Sequence, residues 1–192
     1  PKNKIAIEYN GLYWHTEESG RGKWYHHNKW KMCADKGIQL ITIWEDDWNR
    51  NPELVKRMLL NKLGISEELA VFARKTTIVP ITKEQSRPFL EENHIQGISR
   101  ASVHLGMYYM DNLVAVMLLT RIGSEWTLDR YATSCNVPGG HSKMLEYFKN
   151  NYEWTKIKTF ADLCISDGGL YEKTGWIRDA VLDPDYCYIY RG

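Results

Sequence analysis

A chain of 192 residues, 43% hydrophobic and 26% charged, has the balance of a globular protein with room for one domain or two small ones. A net charge of +1 excludes a bulk basic field, so any contact with nucleic acid must come from a local asymmetry. No apolar run is long enough to span a membrane, no secretion signal is expected, and four cysteines without a C-x-x-C pattern argue against a zinc knuckle and do not indicate a disulfide framework. The expectation is a reducing, intracellular, cytoplasmic setting with no membrane partner; composition leaves the oligomeric state open.

In chain order, Lys4–Asn10 (KIAIEYN) reads as a strand carrying one acidic residue, Glu8, and ending at the Asn10-Gly11 turn signal. Lys23–Lys36 predicts a helix with Trp30, Cys33 and Ala34 on a shared face and Gly37 as its stop. Lys23, Lys29, Lys31 and Lys36 make it locally basic, while Glu45, Asp46 and Asp47 cluster just after; such a separation is either a functional patch or a solvated helix beside a loop. Ile38–Trp44 (IQLITIW) is β-branched and alternating, hence a strand. Pro52 suits a first helical turn, so a helix runs over 53–63 to Gly64, and the polar joint at 65–70 marks a boundary.

Residues 72–79 read as extended, and Thr82 with Gln85 predicts a capping box for a helix that Pro88 interrupts or kinks. SVHLGMYY and LVAVMLLT flank Met110-Asp111-Asn112 as a hairpin with Asp-Asn in the turn, and WTLDRYAT gives a third strand. The loop SCNVPGGHS leads into an amphipathic helix, KMLEYFKNNY; then follow a strand at IKTFAD, a short helix at GGLYEKTGW and a last strand near YCYIY. Eight Trp and twelve Tyr suit packed aromatic surfaces or stacking on bases and planar ligands.

Singly, a strand glutamate or a histidine is a weak signal. Here Glu8, the turn N-G-L-Y-W-H, the helix segment Y-H-H-N-K and the strand end I-W-E-D-D-W come in that order within about fifty residues. That order resembles the very short patch repair endonuclease fold, of the restriction-endonuclease-like PD-(D/E)xK superfamily, and most closely the phage homing endonucleases built on the same core. The resemblance covers roughly residues 1–50. It implies a metal-dependent endonuclease that hydrolyses phosphodiester bonds in double-stranded DNA, in a phage-infected bacterial host. Glu8 is then a ligand of Mg²⁺ or another divalent ion, directly or through water, since hard carboxylate oxygens suit it. His15 is the candidate general acid or base, because imidazole titrates near working pH. His26 and Lys29, three apart on a helix, share a face and would pin the scissile phosphate or assist proton transfer. Asn10 would orient water or phosphate without titrating, and Glu45 is either a remote catalytic carboxylate or a structural strand end. In this family a leading carboxylate sits on the strand before that of Glu8. The sequence starts at Pro1, where that segment ends, so the core is expected to lack its first strand and first acidic ligand.

LGMYYMDNLVAVMLL, NVPGGHSKMLEYF and FAD…GGLYEKTGWI are similar to the acyl-CoA-dependent N-acetyltransferase (GNAT) fold, including Mom-like DNA-modification proteins. The implied organisation is a nuclease core over 1–65 and a GNAT-like α/β domain over 71–192, both with mixed α/β sheets. The cofactor loop of that fold, Q/R-x-x-G-x-G/A, opens a helix onto pyrophosphate. Here the run is Asn136-Val-Pro-Gly139-Gly140-His141, in which Asn136 replaces the leading Arg or Gln and His141 the final small residue. Acetyl-CoA is therefore not expected as an obligatory cofactor. Arg100, Arg121, Arg130, His141 and Lys143 are candidate DNA contacts, or ordinary surface. The alternatives to the nuclease are an acyltransferase-like or DNA-base-modifying enzyme, and a non-catalytic DNA-binding protein.

Overall fold

The structure, a computed structural model, describes residues 4–12, 22–65 and 70–184. It is an α/β protein with mixed pairing, divided into two compact units: residues 1–50 with 162–192, and residues 51–161. The division expected at residues 65–71 is thus displaced. The helix over 52–63 belongs to the second unit, and the C-terminal segment belongs to the first. The reason is packing: Val55 is buried, and Arg57 donates to the Asn93 side chain at 2.7 Å.

In the first unit, β1 (Ile5–Asn10) and β2 (Gln39–Trp44) run parallel, from Ile5 opposite Gln39 to Asn10 opposite Trp44. Parallel neighbours need a crossover, and α1 (Tyr25–Ala34) supplies a helix for it. Leu40, Ile41, Thr42 and Ile43 are all buried, as befits a strand covered on both faces. The far edge of β2 is also engaged, since Thr42 N–H donates to the Cys164 carbonyl at 2.7 Å. Where a strand end was expected at Glu45, a short helix α2 (Glu45–Arg50) begins at once. Its three leading carboxylates suit the positive end of the helix dipole.

The second unit begins with α3 (Pro52–Leu63), N-capped by Asn51 and closed by left-handed Gly64. Residues 72–79 are not uniformly extended: a 3-10 turn over Ala73–Lys75 precedes β3 (Thr77–Pro80). The Thr82–Gln85 capping box forms in full, and α4 (Lys83–Asn93) is continuous through Pro88. Then come β4 (Val103–Tyr109), β5 (Asn112–Ile122), β6 (Glu125–Thr133), α5 (Gly140–Asn151) and β7 (Lys156–Thr159). The sheet order is β3-β4-β5-β6-β7, antiparallel except for the parallel β6–β7 pair. The hairpin turn is Met110-Asp111, one residue earlier than expected. Asn112 already pairs with Tyr109, and the positive φ (52°) falls on Met110.

Alternation along β5 sends its two faces to two helices. Val116 and Leu118 pack with Phe89 and Leu90 of α4, while Trp126, sharing the other face, meets Phe148 of α5 with ring centroids 4.9 Å apart. A bulge in β6 leaves Asp129 unpaired between Leu128 and Arg130, so these two residues point to opposite faces. The helix at GGLYEKTGW is α6 (Gly169–Lys173), in the first unit. The strand expected near YCYIY lies outside the described residues.

Candidate active site

Period-two alternation puts Glu8 and Asn10 on one face of β1, and the parallel register sets Thr42 beside Glu8. Helix α1 lies across that face and presents His26 and Lys29, three residues apart. The result is one connected cluster around the Glu8 carboxylate. Lys29 Nζ is bonded to Oε2. Asn10 Nδ2 donates to Oε1 at 3.1 Å and the Thr42 hydroxyl donates to the same oxygen at 3.4 Å. His26 Nδ1 lies 3.7 Å from Oε1 and 3.5 Å from Asn10 Nδ2. Two aromatic neighbours fix the imidazole edge-on, Tyr25 at 5.0 Å and Trp44 at 4.9 Å between centroids.

The cluster is half sheltered. The Glu8 side chain is 15% exposed and that of Lys29 39%, while Asn10 is buried at 3%. Burial alone would raise the Glu8 carboxyl. The Lys29 and Asn10 hydrogen bonds, with the charges of Lys29 and His26, outweigh it and hold the group below its ordinary value. Glu8 is therefore kept ionised and aimed. Thr42 is the member that motif reading overlooks. Its signal is its position as the polar residue within the apolar run LITI, which the parallel register sets opposite Glu8.

Other expected residues are elsewhere. His15 lies outside the described residues. Glu45 does not join the cluster; its Oε2 accepts the Leu12 N–H at 2.9 Å and so anchors the chain just after the Asn10-Gly11 turn. Lys23 and Lys31 are exposed on and beside α1.

The five basics of the second unit sit in different local settings. Arg130 reaches the Gly97 carbonyl at 3.0 Å, and Arg121 lies over the Trp126 ring with its Nε donating to Gly123 O at 3.0 Å. Arg100 is exposed in the segment between α4 and β4, its carbonyl accepting from Thr120 Oγ1. His141 corrects the expectation of a DNA contact. It is 3% exposed, edge-on to Tyr131 at 5.1 Å, and burial lowers its pKa to about 4, so it stays neutral. Lys143 is likewise committed: its ammonium donates to the Ala73 and Thr76 carbonyls and holds the 3-10 turn.

The glycines of the 136–141 loop have packing reasons. Gly139 takes a left-handed φ of 78°, and a Cβ on Gly140 would stand 2.7 Å from the Tyr131 hydroxyl. Residues 70–73 lie along the same loop, with Val71 N–H donating to Asn136 O and Ala73 N–H to Pro138 O.

Among the described residues no group of three or more His, Cys, Asp or Glu side chains is placed to hold a metal. The donor set at Glu8 is one carboxylate with a neighbouring amide and hydroxyl. Both carboxylate oxygens already accept hydrogen bonds, Oε2 from Lys29 and Oε1 from Asn10 and Thr42, and the set by itself makes no all-protein cage for an ion. No helix among the described residues is long and apolar enough to cross a membrane. No protein-family model matches the chain, and no curated protein matches it significantly.

Proposed function

We propose that the chain carries a metal-dependent endonuclease site for double-stranded DNA, of the homing type, built on Glu8, Asn10, His26, Lys29 and Thr42. One observation carries the reading: a half-buried, ionised carboxylate held by Lys29 and Asn10 with an imidazole 3.7 Å away. Carboxylate, ammonium and imidazole are groups that phosphodiester hydrolysis can use, and they come from two separate stretches of sequence, β1 and α1.

Glu8 would hold the divalent ion, and Asn10 and Thr42 fix the carboxylate's orientation as outer partners of a metal ligand do. When bound, the ion would lower the pKa of water and offset charge on the phosphate. Lys29 has three N–H donors; one side is spent on Glu8, and its exposed side meets a phosphate oxygen. His26, edge-on to Tyr25 and Trp44, would take or deliver a proton. Glu45, through Leu12 N–H, positions the start of the segment that leads to His15. Lys23 and Lys31 extend the basic character of α1 towards neighbouring phosphates.

The test is Mg²⁺-dependent cleavage of duplex DNA, with binding followed separately by fluorescence anisotropy. Glu8→Gln is expected to abolish cleavage and leave affinity within about threefold, since it removes a metal charge and no phosphate contact. His26→Ala lowers the rate by roughly 10²- to 10⁴-fold if it moves the proton. Cleavage by Glu8→Gln at the parent rate sinks the proposal.

The GNAT-like reading of the second unit is favoured by one observation, the parallel β6–β7 pair joined through α5. Against a cofactor loop there stand residues 70–73 lying on 136–138 and the buried His141. We infer that this unit serves DNA positioning through Arg100 and Arg121, without acetyl-CoA.

A further inference from the structure

Glu8 offers two oxygens, and both are taken. Oε2 carries the Lys29 ammonium, while Oε1 takes the Asn10 amide and, at 3.4 Å, the Thr42 hydroxyl. His26 stands 3.7 Å away on the Oε1 side. One full positive charge therefore already lies against the carboxylate. To an approaching divalent ion the pair is close to neutral, so the attraction that a bare carboxylate would offer is largely cancelled. Among the described residues no set of three or more His, Cys, Asp or Glu side chains gathers to replace it.

The two oxygens are not held alike. The partners of Oε1, Asn10 on β1 and Thr42 on β2, are both buried in the paired strands. They stay where the sheet puts them. The partner of Oε2 is a lysine on a flexible stem, its side chain 39% exposed against 15% for Glu8. It springs from α1, a helix without buried residues, so turning it away disturbs no core packing. A second seat lies close by. Lys29 Nζ is 5.4 Å from the centre of the Tyr25 ring, one helical turn earlier, whose face attracts a cation.

We propose that Lys29 is a displaceable internal cation: at rest it occupies Glu8 Oε2 and keeps divalent ions from it, and a phosphodiester draws it off, so that ion and phosphate enter the site together. The choice of phosphodiester as the anion rests on the endonuclease reading. A phosphate oxygen accepts from an ammonium as a carboxylate does, and it meets the exposed side of Lys29 first. When Lys29 turns to it, Oε2 is bared, while Asn10 and Thr42 still hold the carboxylate in place. The coupling is reciprocal: whatever factor the phosphate adds to ion affinity, the ion adds to phosphate affinity. The site thus acquires its cation only with its substrate.

The experiment uses the full chain and needs no cleavage. Mn²⁺ alone is titrated in, and the free ion is counted by electron paramagnetic resonance, for the parent, Lys29→Met, Lys29→Gln and the double variant Glu8→Gln with Lys29→Met. Lys29→Met is expected to bind Mn²⁺ about tenfold more tightly than the parent. Lys29→Gln, which loses the charge and keeps a donor, moves in the same direction. Adding Glu8→Gln removes the gain, which separates this site from weak acidic sites elsewhere. In a second arm, excess dimethyl phosphate (a minimal phosphodiester) tightens Mn²⁺ binding about fivefold in the parent and leaves Lys29→Met unchanged. No gain in either Lys29 variant overturns the proposal, as does a gain that survives Glu8→Gln. A phosphate effect that is missing from the parent, or equal in Lys29→Met, overturns it too. Both Lys29 variants keep an unbranched stem on a helix without buried residues, so they are expected to fold. The endonuclease reading fails separately: cleavage by Glu8→Gln at the parent rate sinks it and leaves the Mn²⁺ competition standing, whereas loss of the competition with cleavage still dependent on Glu8 sinks this inference alone.

Discussion

The Glu8–Lys29 pair can be weighed by a double-mutant cycle with Glu8→Gln and Lys29→Met, both of which keep the side-chain stem and remove the charge. Two limits bracket the result. Exposed ion pairs give about 0.2–1 kcal/mol, and breaking a buried pair costs about 3–5 kcal/mol. With Glu8 15% exposed and Lys29 39%, the pair lies between, nearer the screened end. The expected coupling at about pH 7 is roughly 1–2 kcal/mol by urea unfolding. Its pH dependence has a definite sign. The folded Glu8 carboxyl lies below its ordinary value. Its contribution is therefore fully present above the unfolded value and is lost as pH falls through the folded one. Glu8→Gln should flatten that acid limb, and coupling should shrink steadily as the carboxylate range is entered from above. A coupling under about 0.3 kcal/mol at neutral pH, or one that does not fall in acid, would refute the reading of Glu8 as an ionised, sheltered carboxylate.

Two further outcomes test the second unit. Gly106 faces Ile81, whose Cγ2 would stand 2.7 Å from an added Cβ, so Gly106→Ala should cost about 1–3 kcal/mol in chemical unfolding; Gly22→Ala in the first unit, where an added Cβ meets nothing within 4 Å, is the control and should cost nearly nothing. Lys143→Met leaves the Ala73 and Thr76 carbonyls without their ammonium donor and should cost about 1–2 kcal/mol with DNA affinity unchanged; a fall in affinity at constant stability would restore Lys143 as a DNA contact.

Local signals were legible in the sequence because their causes are local. The Asn10-Gly11 stop, the Thr82–Gln85 box, Pro52 in the first turn and Gly64 at the close of α3 each act within four residues. What escaped depends on distant partners. Helix α3 joins the second unit through Arg57 and Asn93, thirty-six positions apart, which no polar joint at 65–70 reveals. His141 and Lys143 look like surface basics in a helix of amphipathic pattern. Only the three-dimensional path shows one buried against Tyr131 and the other reaching back to residues 73 and 76. The bulge at Asp129 is invisible for the same reason, because alternation in WTLDRYAT reads through it. Of the candidate site, Glu8, Asn10, His26 and Lys29 were named from motif order, while Thr42 required the parallel register.

The opening strand shows why the cluster supports a chemical role over a structural one. An apolar residue at position 8 would serve the half-sheltered face of β1 at least as well, because desolvating a carboxylate and an ammonium consumes most of what their attraction returns. Structure alone would then need no further partners. Yet Asn10, 3% exposed, spends its amide on Glu8, Thr42 adds a hydroxyl, and His26 is brought within 3.7 Å of the same oxygen. Each neighbour stabilises the ionised form and restricts its rotation. Ion-pair stability requires one cation, which Lys29 already provides. Amide, hydroxyl and imidazole together do what stability does not require: they hold one charged oxygen in a fixed place beside a group that can carry a proton. That combination is what hydrolysis of a phosphodiester asks of a protein.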